Sequence, residues 1–297
     1  MAKSVLNVSV IIATRDRPKD LYRCIYSLLK SEVLPFEIIV IDQSKSDKTK
    51  KIVQKKNSPI VKYYKVNYVG KSRSLNDAIS RAKGNILAFT DDDCVIDIRW
   101  IKQISEFFQK NEKESIVFGN TKPFILTKKK DMICPATFSK ENDYISYTKN
   151  PCKHWEEIGF GNNMSFRKNI FNQVIKFETL LGPGSIGRSA EDAEIANKCL
   201  LLGHKIAYNP FMVIYHNRWI STKENRNLYL SYSLGGTACY SSLLFNGNKF
   251  SKDLIKNEFK NIYYNFIAKE FLIKVTGLML GLLIYLKQRF NLLFVQK

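Results

Sequence analysis

Short apolar runs alternate with amphipathic stretches over the first hundred residues of the chain. Four apolar runs rich in β-branched residues predict buried strands, at 8–13, 37–41, 60–66 and 85–90. Between these runs the apolar residues recur at helical spacing, as Leu21, Ile25 and Leu28 do after Pro18. Strands that alternate with helices are typical of βαβ units. We therefore predict an α/β fold with a mostly parallel sheet flanked by helices.

The pattern becomes mixed after about residue 100. An amphipathic helix is predicted at 101–108, and the irregular stretch at 122–157 is too long for an ordinary connection, so we expect a binding loop or lid. A further helix is predicted to open near Glu191, with Ser189 as its cap. The remainder, from about residue 221, is rich in Tyr, Leu and Lys and is predicted to be helical.

The charge balance changes the range of expected partners. The 297 residues carry 47 Lys and Arg against 27 Asp and Glu, a formal net charge of +20. Nucleic acid, anionic lipid and nucleotide phosphates all suit such a chain. Lysines far outnumber arginines and are spread along the sequence, which argues against a nucleic-acid partner. Six cysteines without a CxxC pair, and an N-terminus without a signal-peptide pattern, predict reduced thiols in the cytoplasm.

Polar residues follow several of the predicted strands. Thr14, Asp42 and the run Asp91-Asp92-Asp93 all come at strand ends, where ligands bind in parallel sheets. Three successive carboxylates repel one another unless a cation neutralises them, and Mg²⁺ and Mn²⁺ prefer such oxygen ligands. The alternative is a solvated acidic turn.

Other candidates have equally ordinary alternatives. His216 follows the apolar run 211–215. It is either a metal ligand or a structural histidine. Glu191 and Asp192 fall in the first turn of a predicted helix, where the helix dipole stabilises acidic side chains. Alternatively, one of them is a general base that deprotonates a hydroxyl. Lys71 follows a glycine but lacks the rest of a Walker loop, which argues against an ATPase.

Six motifs occur in a fixed order along the chain: Val8-Ser-Val-Ile-Ile-Ala-Thr-Arg-Asp-Arg-Pro18, Glu37-Ile-Ile-Val-Ile-Asp42, Gly84-Asn-Ile-Leu-Ala-Phe-Thr-Asp-Asp-Asp93, Gly161-Asn-Asn-Met-Ser-Phe-Arg167, Glu191-Asp192 and Tyr215-His216. Together they resemble the family 2 inverting glycosyltransferases, which have the GT-A fold. The resemblance covers roughly residues 5–218. It implies a GT-A domain at 1–220, with a nucleotide-binding half at 1–100 and an acceptor and catalytic half at 101–220, before a helical region at 221–297.

The resemblance also implies a role for each matching residue. Asp192 becomes the catalytic base, with Glu191 shaping the acceptor pocket. Asp93 becomes the principal carboxylate of the metal site, assisted by Asp91 and His216, and the cofactor is Mn²⁺ or Mg²⁺. The residues implied to bind the nucleotide sugar are Thr14, Arg15, Asp42, Arg73, Asp91, Asp92, Asn162 and Asn163. Gln43 and Leu75 depart from the family pattern, in which an acid and an arginine are common.

These roles define the expected function. A sugar moves from a nucleotide diphosphate sugar, most often a UDP-sugar in this family, to a hydroxyl of a polysaccharide or lipid-linked glycan. A catalytically silent nucleotide-sugar-binding scaffold and a basic nucleic-acid-binding protein are the alternatives. The donor sugar, the acceptor and the oligomeric state are not readable from the sequence.

The C-terminal tail contains an uncharged apolar stretch at 275–286. As a helix it is about 18 Å long, against about 30 Å for a bilayer core, so a simple transmembrane span is not expected. Lys269, Lys274, Lys287 and Arg289 flank it, which suits a helix on an anionic membrane surface at the inner face of the cell membrane. A helix packed against the catalytic domain or a partner subunit is the alternative.

Overall fold

The computed structural model describes residues 6–128, 130–141, 145–147, 158–171, 175–265 and 268–295. Within these ranges, strands β1 to β9 are Val8–Thr14, Glu37–Asp42, Val61–Lys65, Ile86–Asp91, Cys94–Ile96, Glu114–Pro123, Ile145–Tyr147, Met164–Arg167 and Lys205–His216. Helices α1 to α8 are Pro18–Leu28, Lys48–Lys56, Lys71–Arg81, Trp100–Lys110, Glu191–Leu201, Thr222–Phe245, Ser251–Asn265 and Ala268–Val295.

The strands form one sheet in the order β3-β2-β1-β4-β8-β6-β9-β5, with β7 beside β9. The block β3-β2-β1-β4 is parallel throughout, as the alternation of strands and helices predicts. β8 then runs antiparallel between β4 and β6. Thr14 is in register with Asp42, and Ala13 with Asp91, so the polar residues at these strand ends share one edge of the sheet.

Helices cover both faces of the sheet, which explains the continuous apolar runs of its strands. One core cluster places Leu21 and Ile25 of α1 and Ile104 of α4 against the sheet. The other places Leu75 of α3 and Ile195 of α5 against the opposite face. The predicted α/β architecture with a helical C-terminal region is thus confirmed.

The three C-terminal helices pack together and onto the rest of the molecule. α8 crosses α6 at its glycines, and a Cβ atom on Gly281 would lie only 2.5 Å from the carbonyl oxygen of Ala238. Near its end, α8 forms an ion pair between Lys287 and Glu178, and the Gln288 amide donates to Glu194 of α5 at 3.1 Å. One face of the tail is therefore buried against the part of the chain that contains Glu178 and α5. None of the described helices is long and apolar enough to cross a membrane.

Two predicted features need correction. Helix α5 begins at Glu191 behind Ala190, whose φ of 68° is left-handed, and Ser189 does not cap it. Instead the Ser189 hydroxyl donates to the carbonyl of Ser231 in α6 at 2.9 Å. The stretch predicted to be irregular starts inside β6, and part of it, at 129, 142–144 and 148–157, lies outside the described residues.

Candidate active site

A cavity of about 660 Å³ opens at the polar edge of the sheet. Its volume lies in the usual range for small-molecule sites, roughly 300–1,000 Å³. Segments far apart in sequence line it: the loops after β1 and β4, the start of α5 and the end of β9. The predicted site residues that line this cavity are Thr14, Arg15, Asp91, Asp92, Asp93, Asn162, Glu191, Asp192 and His216.

Two carboxylates of the acidic run at the end of β4 pair with Arg17, which the sequence motifs did not single out. Arg17 Nη1 lies 2.7 Å from Asp93 Oδ2 and 3.3 Å from Asp92 Oδ1. Thr14 donates its hydroxyl to Asp92 Oδ2 at 2.7 Å. Burial and the neighbouring Asp93 raise the pKa of Asp92 to about 7. Burial also opposes the charge of Asp93, but His216 and Arg17 outweigh it and hold the pKa of Asp93 well below its usual range.

His216 faces the free side of Asp93. Its Nε2 atom lies 3.2 Å from Asp93 Oδ1, and its Nδ1 atom lies 2.7 Å from the carbonyl oxygen of Pro135. A carbonyl oxygen only accepts hydrogen bonds, so Nδ1 carries a proton and Nε2 points toward the carboxylate. Burial opposes the positive charge of His216, but Asp93 raises the pKa of the imidazole to about 10.

These two side chains fit a divalent cation, whose binding would displace the proton from His216 Nε2. Asp93 Oδ1 is buried without a hydrogen bond, because the approach of His216 has an ion-pair distance but not a hydrogen-bond geometry. A histidine whose Nδ1 is fixed by a backbone carbonyl is the usual form of a metal ligand. Within the described residues no group of three His, Cys, Asp or Glu side chains is arranged to hold a metal. Two protein ligands suit Mg²⁺-type sites, in which phosphate and water supply the others.

Lys71 connects the acidic run at the end of β4 to the start of α5. It is the first residue of α3, and its Nζ atom lies 2.6 Å from Asp91 Oδ1 and 3.3 Å from Glu191 Oε1. Burial disfavours the charge of Lys71, but Asp91 and Glu191 outweigh it and raise its pKa well above the usual value. Burial raises the pKa of Glu191 to about 7 against the influence of Lys71. Asp91 is thus paired with a lysine, and its role as a metal ligand stays a prediction.

Asp192 is held in one orientation at the start of α5. Its Oδ2 atom accepts a hydrogen bond from the backbone N–H of Gly161 at 2.6 Å, and Oδ1 accepts one from Ala193 N–H at 2.8 Å. A Cβ atom at Gly161 would lie 2.8 Å from the Asp192 Cβ, so only glycine fits here. The carboxylate still lines the cavity. Beside it, Asn162 accepts a hydrogen bond from the Thr121 hydroxyl at 2.9 Å.

The structure corrects three predicted contacts. Asp42 is fully buried, and its carboxylate accepts hydrogen bonds from Ser44 N–H and the Tyr63 hydroxyl instead of facing the cavity. Arg73 is exposed on α3, with its guanidinium 4.0 Å from the centre of the Tyr68 ring.

Asn163 is the third of these corrections. It is fully buried, accepts a hydrogen bond from Trp100 Nε1 and donates its amide to backbone carbonyls of Asn120 and Met212, so it has no group left for a sugar. Its neighbour Asn162 does line the cavity.

Several cavity residues were missed by the sequence motifs. Arg188 precedes α5, Arg218 follows β9, and Tyr229 and Tyr232 face the cavity from α6. The two tyrosines stand three residues apart in α6, which lies in the helical region predicted at 221–297. A shared helical face was the only signal that could have found them.

Comparison with known proteins identifies the family. The model of glycosyl transferase family 2 matches residues 9–175, which is more than half of the chain. The chain belongs to glycosyl transferase family 2. This is the family that the ordered motifs predict.

Two curated relatives transfer sugars to lipid-linked acceptors by name. GalNAc(5)-diNAcBac-PP-undecaprenol beta-1,3-glucosyltransferase of Campylobacter jejuni is 36% identical over 118 residues, which cover 38% of this chain and 37% of the relative. Glucosyl-dolichyl phosphate glucuronosyltransferase of Haloferax volcanii is 21% identical over 268 residues, covering 84% of this chain and 83% of that one. The first match thus spans little more than a third of that relative's length.

Solved structures share the fold. The mannosyltransferase PcManGT of Pyrobaculum calidifontis, in complex with GDP-Man and Mn²⁺, is 11% identical with a TM-score of 0.60 and covers 95% of this chain and 88% of its own. Residues 1–349 of S. aureus TarS in complex with UDP-GlcNAc are 18% identical with a TM-score of 0.57, covering 71% of this chain and 58% of that one. The GT-A fold implied by the motifs is thereby confirmed.

Proposed function

We propose that this glycosyltransferase is metal-dependent and inverting, and that it moves a sugar from a nucleotide diphosphate sugar to a hydroxyl of a lipid-linked glycan. One observation carries the proposal: a single cavity contains both the Asp93–His216 pair and the fixed carboxylate of Asp192. The first suits a cation beside a diphosphate, and the second suits proton removal from an acceptor.

On the donor side, the chain supplies charge complementary to a diphosphate. Asp93 and His216 would hold Mn²⁺ or Mg²⁺, which when bound offsets the negative charge that develops on the leaving diphosphate. Arg17 and Arg218 line the same region and add fixed positive charge. Thr14 ends β1 and Arg15 follows it at the cavity wall, where the two would frame the base or ribose.

On the acceptor side, Asp192 takes the proton of the attacking hydroxyl. A sugar hydroxyl is a poor nucleophile, and a positioned carboxylate typically contributes about 10²–10⁴-fold to such an attack. The hydrogen bonds from Gly161 and Ala193 fix the carboxylate before the acceptor arrives. Because the hydroxyl attacks directly on the side opposite the leaving diphosphate, the anomeric configuration inverts.

The acceptor class and the location follow from the relatives. The undecaprenol and dolichyl phosphate in their names are membrane-embedded carriers. We infer that the acceptor of this chain is a glycan on such a carrier, that the donor is a UDP-sugar, and that the enzyme works in the cytoplasm at the inner face of the cell membrane.

A thermal-shift panel of UDP, GDP and dTDP, each with Mn²⁺, Mg²⁺ or EDTA, tests the donor side. The proposal expects a metal-dependent shift that is largest for one base. Transfer from the matching nucleotide sugar to a short-chain prenyl-diphosphate-linked sugar then tests the reaction, with the product anomer read by NMR. A product with the donor's configuration, or transfer that survives EDTA, would contradict the mechanism.

Two substitutions separate the roles of the carboxylates. Asp192→Asn removes the base, so transfer should fall by about 10²–10⁴-fold while metal-dependent UDP binding persists. Asp93→Ala should instead abolish Mn²⁺ binding measured by calorimetry in the presence of UDP. Full turnover of Asp192→Asn, or an unchanged Mn²⁺ titration of Asp93→Ala, would refute the corresponding assignment.

A further inference from the structure

Helix α8 exposes an apolar face along its length. Leu272, Met279, Leu283 and Leu286 are 65%, 64%, 52% and 53% exposed. Their spacings of seven, four and three residues place them on one side of the helix, over about 21 Å at 1.5 Å per residue. Large apolar side chains aligned in this way form a continuous interaction surface, unlike single exposed apolar residues scattered over a protein.

The opposite side of α8 is locked against the protein. Lys274 and Ile284 are fully buried there, and Gly277 and Gly281 lie against the backbone of α6. A Cβ atom at Gly277 would lie 2.8 Å from the carbonyl oxygen of Leu234. The helix therefore cannot rotate to bury its exposed face within its own subunit.

Exposed basic side chains lie on α8 and on the neighbouring α7, where Lys256 is also 3.9 Å from Asp253. Lys269 and Arg289 are exposed near the two ends of α8. α7 packs beside it through Phe259 and Phe271, whose ring centres are 5.9 Å apart. α7 presents further exposed lysines at helical spacing: Lys252, Lys256 and Lys260.

We propose that the exposed face of α8, with its lysine-rich surroundings, docks on an anionic membrane surface and lies in its interface. Apolar side chains enter the boundary of the acyl region while the basic side chains reach lipid phosphates. A second copy of the chain is a poorer occupant, because a symmetric contact would bring like charges together in a protein of net charge +20.

Helix α6, against which α8 packs, forms a wall of the active-site cavity. Tyr229 and Tyr232 face the cavity from α6, which α8 holds through its glycines. Docking through α8 would therefore anchor at the membrane the helix that carries these tyrosines. This link rests on the proposed function, since only a lipid-linked acceptor requires it.

Vesicle flotation of the full chain tests the docking face. The variant Met279→Gln/Leu283→Gln/Leu286→Gln removes the apolar face. A matched control, Leu126→Gln/Leu202→Gln/Phe211→Gln, changes three apolar residues that are 88%, 52% and 68% exposed elsewhere. The wild type and the control should float with phosphatidylcholine vesicles that contain phosphatidylglycerol and not with phosphatidylcholine alone. The α8 variant should partition at least about 10-fold less.

Equal flotation of the two variants, or no flotation of the wild type, would overturn the proposal. So would a wild-type dimer, seen by light scattering, that the α8 variant converts to a monomer. Transfer to a water-soluble short-chain acceptor is measured on the same preparations, and the α8 variant should retain it. If the α8 variant loses flotation but no preparation transfers sugar, docking is supported and the proposed acceptor is refuted. If the wild type transfers sugar but does not float, docking alone is refuted.

Discussion

Lys71 supplies a positive charge that the family pattern places elsewhere. At Leu75, where an arginine is common in the family, this chain has an apolar residue buried in the core. One turn earlier, Lys71 extends its ammonium group between Asp91 and Glu191. The backbone of Lys71 also donates to the carbonyl of Pro183 at 2.9 Å, so the start of α3 is tied to the loop before α5. We therefore expect this lysine to couple the nucleotide side of the cavity to its catalytic side.

Substituting Lys71→Met should weaken nucleotide binding as well as stability. Removing one member of a buried ion pair typically costs about 3–5 kcal/mol, because the partner charge stays behind. Lys198→Met is the matched control, since Lys198 lies 2.8 Å from the buried Glu194 but outside the cavity. Denaturant unfolding should show a loss in both variants. A UDP titration should change only in Lys71→Met, and equal UDP affinity in the two variants would contradict the coupling.

The contact between Gly161 and Asp192 gives a second test at the same scale. In Gly161→Ala the new methyl group would meet the Asp192 carboxylate at 2.9 Å and displace it. A displacement of about 1 Å in a catalytic group can lower the rate about 10²-fold. We expect kcat to fall by that order while the Kd for UDP with Mn²⁺ stays unchanged. A normal kcat, or a loss confined to UDP binding, would show that Asp192 is not the group affected.

The sequence located the chemistry of these residues but not their partners. Asp93, His216 and Asp192 were placed at one site because their motifs follow strand ends or open a helix, and such ends converge in parallel sheets. The partners of Arg17 and Lys71 come from segments that are distant in the sequence, so the sequence alone does not identify these contacts. Asn163 was misassigned because a motif shared with a sugar-binding segment does not say which of two neighbouring amides turns into the core.

Among the elements, the packing of α6 against α8 depends on glycines. The strands were predictable because a strand covered on both faces is continuously apolar, whereas α6 carries serines, tyrosines and glycines whose burial is set by its neighbours. Gly277 and Gly281 stand four residues apart, a spacing that favours close helix packing but does not identify the partner. That partner is α6, where Ala238 lies against Gly281.

Two glycine-to-alanine substitutions in these helices should have opposite effects. Gly281→Ala places a methyl group 2.5 Å from the Ala238 carbonyl oxygen and should lower the free energy of unfolding by about 1–3 kcal/mol. In Gly236→Ala the nearest atom to the new methyl group is Tyr240 Cε2 at 3.9 Å, so the gain in helix propensity, about 0.5–1 kcal/mol, should dominate. Denaturant unfolding measures both. Equal and small effects would contradict the close packing of α6 and α8.

For the whole molecule, the C-terminal helices complete the catalytic part of the chain. The sequence places a domain boundary at residue 220, because the motifs end there and the composition changes. Contacts cross that position, however: Leu181 and Ala193 share a buried cluster with Ala238 and Ile284. The Ser189–Ser231 hydrogen bond ties α6 to the loop before Asp192. A boundary read from composition does not register such contacts, because they depend on which faces meet.

These contacts predict that the chain unfolds as one cooperative unit. Calorimetry should give a single transition with equal calorimetric and van't Hoff enthalpies, as two-state unfolding requires. UDP with Mn²⁺ binds only the native state, so at about 100 times its Kd it should add about 2.7 kcal/mol and move that whole transition. A chain cut at residue 220 would expose Leu181 and Ala193, and its transition should be lost or shifted to lower temperature. Two transitions in the full chain, of which only one moves with UDP, would instead mean that helices α6 to α8 fold separately from the site they line.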